Sequence, residues 1–116
     1  MKKIIIAASV LGAIFIACQK NAITGRRSMT IMPESEMIGM SLTEYGKFLT
    51  EHKPLPATDA NVVLVRKVGS KIQGAVEKYY AQKGLSSQLA SFKWEFNVVS
   101  EDVVNAWCMP GGKVVV

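Results

Sequence analysis

Histidine, cysteine and clustered charge are all scarce in this chain, and each scarcity removes a class of function. Among the 116 residues there is one histidine, His52. A zinc site normally takes three protein ligands, so one imidazole does not make one. Glu34, Glu36, Glu95 and Glu101 have no histidine partners in the sequence pattern, so no catalytic residue and no metal ligand is expected here. His52 opens the stretch His52-Lys53-Pro54-Leu55-Pro56, where two prolines without amide donors break any helix. It reads as a surface loop residue, with a pH-sensitive contact as the other option. The 14 Lys and Arg outnumber the 9 Asp and Glu, for a net charge of +5. They are scattered and do not form the basic stripe with interleaved aromatics that nucleic acid requires, so no nucleic-acid partner is expected. The apolar run Ile4 to Ala17 is about fourteen residues, short of the roughly 20 that a helix needs to cross a bilayer. Hydrophobic residues make up 49% of the chain, which excludes disorder as the default, and the length allows one domain.

What is present begins with a leader. Lys2-Lys3 followed by the apolar run has the shape of a secretory signal: a positive start, a short hydrophobic core and a small residue at its end. Phe15-Ile16-Ala17-Cys18 resembles a bacterial lipobox, with Phe15 where leucine or a smaller aliphatic is usual. That resemblance implies removal of residues 1–17 as a lipoprotein signal peptide and lipidation of Cys18. Several acyl chains on one residue anchor stably where a single chain would be marginal. Gln19 stands after the cysteine in place of an acidic residue, and by resemblance to sorted bacterial lipoproteins this points to the outer membrane, facing the periplasm. A disulfide between Cys18 and Cys108 is the competing use of the two cysteines. Cys108, however, lies within a hydrophobic strand pattern, where a thiol behaves as a small hydrophobe. Residues 18–32 carry turn residues and charge without periodicity, as an extended linker from the anchor would. Within them Arg26-Arg27 either touches anionic head groups or is solvated.

From Pro33 onward the pattern becomes helical. Pro33 suits a first helical turn, and Glu34 and Glu36 favour the positive end of the helix dipole. Ile38, Leu42, Tyr45 and Leu49 then recur at spacings of four, three and four, an apolar face that ends near Glu51. Asp59 is placed to cap a second helix, with Val62, Val65, Val68, Ile72, Val76 and Tyr79 on its apolar face and Gly84 as a left-handed stop. Arg66, Lys67, Lys71 and Lys78 fall mostly off that face, as a solvated surface does.

Phe92, Trp94, Phe96 and Val98 alternate with Lys93, Glu95, Asn97 and Val99, the period of a half-buried strand. Ser100-Glu101-Asp102 makes a turn. The stretch Asn105-Ala106-Trp107-Cys108-Met109-Pro110-Gly111-Gly112-Lys113 then reads as strand, reversal, strand, flanked by Val103-Val104 and Val114-Val115-Val116. The expected fold class is therefore α+β: two amphipathic helices followed by a small three-stranded sheet, occupying residues 33–116.

Taken together, Trp-Glu-Phe-Asn-Val-Val followed by Asn-Ala-Trp and Pro-Gly-Gly-Lys resembles the segment ahead of the zinc helix in membrane-associated zinc metallopeptidases. These include the CAAX prenyl protease, the HtpX-type heat-shock proteases and the BepA-type periplasmic proteases. The Thr-Gly-Arg segment at residues 24–26 and the Val-Arg-Lys-Val-Gly segment of the second helix extend the likeness. The resemblance implies a zincin-like domain, polypeptide substrates and protein quality control in the cell envelope. It also implies a substrate-binding role for Asn105 and Ala106, on an edge strand that holds a peptide extended through main-chain hydrogen bonds; a turn or bulge residue between Val104 and Ala106 is the other reading of Asn105. Zinc would be bound by a downstream His-Glu-x-x-His helix, so the chain is expected to be the N-terminal, truncated part of a longer enzyme, inactive alone. The alternative is a non-catalytic envelope lipoprotein that serves as a binding module.

Overall fold

The computed structural model describes residues 18–116, so the leader read in residues 1–17 lies outside the described residues. They fall into two units, divided after Pro33. The first contains strands β1 (Cys18–Lys20) and β2 (Arg27–Met29), paired antiparallel with Cys18 opposite Met29. The extended linker expected at residues 18–32 is thus folded into a hairpin. The local cause is Asn21, whose Oδ1 accepts from the amides of Ile23 and Thr24 at 3.0 and 2.9 Å and so turns the chain.

The second unit holds helices α1 (Glu34–Glu51) and α2 (Ala60–Gln82), a 3-10 turn at Ser86–Leu89, and strands β3 (Glu95–Asn97), β4 (Trp107–Met109) and β5 (Lys113–Val115). This is the α+β architecture expected, two helices followed by a three-stranded sheet. Both helix starts follow their local chemistry. Pro33 directly precedes α1, and the Asp59 carboxylate accepts from the Asn61 amide at 2.8 Å to cap α2. At its other end α2 closes with Gly84 at φ +69°. The Gly84 amide reaches Ala81 O at 3.0 Å and the Leu85 amide reaches Tyr80 O at 2.8 Å, a complete left-handed cap.

The strand order is β3-β5-β4, with β3 parallel and β4 antiparallel to β5. The β4–β5 hairpin puts β5 in the centre, because the connection after β3 carries the chain across to the far edge. Only Glu95–Asn97 of the long aromatic run forms regular ladder, although single bonds extend it: Lys93 N to Gly111 O at 2.9 Å and Val99 N to Val116 O at 3.0 Å. Val103 and Val104, expected to enter the next strand, are exposed and irregular. They have no neighbouring strand among the described residues, and β propensity without a partner does not make a strand.

Successive strand residues point to opposite faces, and the contacts assign one helix to each. Glu95 and Asn97 reach Tyr45 of α1, whereas Phe96 between them lies on Gly69 of α2. The sheet is therefore a middle layer. The buried stripe of α1 runs through Ser41 and Tyr45, and Leu42, expected on the apolar face, is 42% exposed. On α2 the buried stripe runs through Val62, 1% exposed, and Gly69, while Val68, Ile72 and Tyr79 face out. In both helices the buried face is rotated from the one that apolar residues mark: Ser41 donates to the Pro110 carbonyl, and Gly69 makes room for the Phe96 ring.

Candidate functional site: a groove beside an edge strand

At the end of α1 the Phe48 carbonyl accepts from the His52 amide at 2.8 Å. The His52 ring stacks on Phe48, with centroids 4.4 Å apart and planes 17° from parallel. Trp107, the first residue of β4, meets the same Phe48 edge-on at 4.8 Å and Tyr45 at 6.4 Å. The Phe48, His52 and Trp107 rings form one wall of a groove of about 190 Å³, which Val99, Glu101, Val103, Asn105, Val115 and Val116 complete. Its floor is apolar. Its polar groups are few: His52, whose Nδ1 meets Glu101 Oε1, and Asn105.

Asn105 and Ala106 stand just ahead of β4 and are exposed. The structure therefore places the two expected substrate-binding residues at the entry of the edge strand rather than within it. Asn105 Oδ1 accepts from the Ala106 amide at 2.8 Å. That bond occupies the Ala106 donor and leaves the Asn105 Nδ2 hydrogens as the donors offered to the groove. The strand that follows is paired to β5 on one side only, so its outer edge presents unpaired amides and carbonyls to any extended chain. Cys108, in the middle of β4, is a free, exposed thiol, not the strand-buried hydrophobe expected. Cys18 opens β1 in the other unit.

Behind the groove a polar layer fixes α1 to the sheet. Asn97 Nδ2 donates to Tyr45 Oη and to Glu95 Oε1, each at 2.9 Å. Lys113, 5% exposed, donates from Nζ to Lys93 O at 2.7 Å and to Glu95 Oε2 at 3.1 Å. Burial raises the pKa of the Tyr45 hydroxyl above its ordinary value; the Asn97 donor opposes this and the Glu95 carboxylate adds to it. The Pro-Gly-Gly-Lys turn is clamped by the same layer, since Ser41 Oγ donates to Pro110 O at 2.9 Å. Gly111 and Gly112 have φ of +89° and +83°, and a methyl on Gly112 would stand 3.2 Å from Trp94 Cα. Only glycine meets both demands cheaply. The motif thus acts as a clip that sets the height of β4 beside α1.

Glu101, expected to have no histidine partner, has one in the structure: His52, read as a loop residue, turns its ring to the Glu101 carboxylate. The two are 49 positions apart, and no spacing rule links a residue closing a helix to one in a later turn. Among the described residues no three His, Cys, Asp or Glu side chains converge on one point. His52 with Glu101 supplies two ligands at most, so the residues described do not fit a zinc ion. Among the same residues no helix is long and apolar enough to cross a membrane. Comparison of the chain with protein-family models, with curated proteins and with solved structures finds no match.

Proposed function

We propose that this chain is the peptide-holding part of a zinc-dependent metalloendopeptidase of the bacterial cell envelope, acting on unfolded or misassembled polypeptides. The observation that supports the reading is the open edge of β4 beside the Asn105 groove. An extended polypeptide adds to such an edge through main-chain bonds that are largely independent of its sequence. Asn105 Nδ2 donates to a substrate carbonyl, and the apolar floor accepts one side chain. Zinc, when bound, supplies an activated water; its ligands lie outside the residues described here. Lipidation of Cys18 holds the protein on the outer membrane, facing the periplasm.

Two measurements separate this reading from a non-catalytic binding module. The 116-residue chain should bind an unstructured model peptide without zinc. N-methylation of alternate peptide amides should weaken that binding by up to about tenfold per lost bond, and Asn105→Ala should weaken it by a similar factor. The natural gene product should cleave the same peptide in a zinc-dependent manner. Binding without cleavage by the natural product would favour the module, and cleavage that survives complete removal of zinc would overturn the metal mechanism.

A further inference from the structure

The outward flank of α2 is not used by the groove. Leu64, Val68 and Ile72, 59%, 49% and 57% exposed, stand at spacings of four and form one apolar stripe, which Tyr79 extends. At 1.5 Å per residue the stripe is roughly 22 Å long. It opens into a groove of about 300 Å³ that reaches Phe96 and Val114 on the sheet and is lined only by apolar side chains and Gly69. Along one side of the stripe run Lys67, Lys71 and Lys78, all exposed. None of the three has a carboxylate within ion-pair distance among the described residues. Glu77, the only acid of α2, receives Gln73 Nε2 at 2.8 Å instead. The Lys83 ammonium stands 5.7 Å over the Tyr79 ring, adding a further cation at the far end.

From this arrangement we infer that the flank of α2 lies on the surface of a bilayer containing anionic lipid. An apolar stripe beside a row of lysines is the make-up of an interfacial helix: the aliphatic side chains enter the acyl boundary and the ammonium groups stay at the head groups. An exposed tyrosine suits the same depth. The charge complementarity favours a membrane over a protein partner. A protein would need carboxylates at the 67, 71 and 78 spacing, whereas lipid head groups supply anions in any register. The inference does not depend on the lipid at Cys18 or on the peptide groove.

The test uses the full chain in nanodiscs whose lipid carries a paramagnetic gadolinium head group, and reads broadening of methyl resonances. With anionic lipid, Leu64, Val68 and Ile72 should broaden several-fold more than Val103, which is also exposed but lies on the α1 side of the sheet. Because the lysines need anionic head groups to act on, the selective broadening should vanish in neutral lipid. Replacing Lys67, Lys71 and Lys78 by Gln should reduce it by about fivefold per lysine. Equal broadening at Val103, or the same pattern in neutral lipid, would overturn the inference. So would shielding of the three stripe methyls that grows with protein concentration without lipid, which would identify a second copy as the occupant. Stronger shifts with an acidic amphipathic peptide than with lipid would assign the face to a protein.

Discussion

The two faces of the small sheet are held by different physics. Against α1 the sheet presents hydrogen-bonding groups, Glu95, Asn97 and Lys113, and each finds a partner at 2.7 to 3.4 Å. Against α2 it presents rings, and the contact is made by removing a side chain: Gly69 leaves a notch that the Phe96 ring fills. Hydrogen bonds are directional, so the first face fixes register and the height of the Pro-Gly-Gly turn beside the groove. Shape complementarity tolerates sliding but not added volume. The groove sits on the face where register is fixed, as the proposed holding of an extended chain would require.

The largest effect should come from filling the notch. A Cβ on Gly69 would meet the Phe96 ring at 2.5 Å, so Gly69→Leu should cost about 3 kcal/mol by overpacking. Gly74, on the same helix, has open space around it, and Gly74→Ala should stabilise by about 0.5–1 kcal/mol through helix propensity. Denaturant midpoints of the two variants should therefore move in opposite directions. If both move the same way, packing at Phe96 does not hold α2.

Next comes the polar face. Glu95→Ala leaves the Lys113 ammonium buried with the Lys93 carbonyl as its remaining hydrogen-bond partner, at a cost of about 2 kcal/mol. The same unfolding curves read it. Because the loss also frees the turn, amide exchange at Lys113 and Val114 should quicken more than in α2.

The smallest effect, and the most specific, is a pH dependence. Burial raises the Tyr45 pKa above 10.0, so the folded state holds this proton more tightly than the unfolded chain does. Its contribution is complete below about pH 10 and is lost as pH rises through the folded value. Tyr45→Phe should cost about 1 kcal/mol at neutral pH through its lost hydrogen bonds. It should also flatten the decline in stability between the wild type's neutral and strongly alkaline melting curves. An unchanged alkaline decline in the variant would show that Tyr45 is not the group responsible.

Local chemistry made much of this molecule legible in advance. Pro33, Asp59 and Gly84 mark their helix ends through φ restriction, capping and left-handed backbone, effects that span one turn and need no partner. The Pro-Gly-Gly reversal follows the same logic. Which residues face inward was only partly legible, since Ser41 and Gly69 are not apolar markers and their burial depends on what the sheet brings to them. The same holds for His52 and Glu101, which a periodicity reading leaves on separate loops.

By itself, then, the sequence determined where the helices begin and end, the α+β order of elements and the reversal at Pro110, because those depend on steric and hydrogen-bonding preferences within a few residues. Tertiary structure decided that β3 runs parallel to β5, that β4 is an edge strand and that Asn105 shares a groove with His52. Those outcomes depend on pairings between distant segments, whose cost in chain entropy is recovered only when the layers close together.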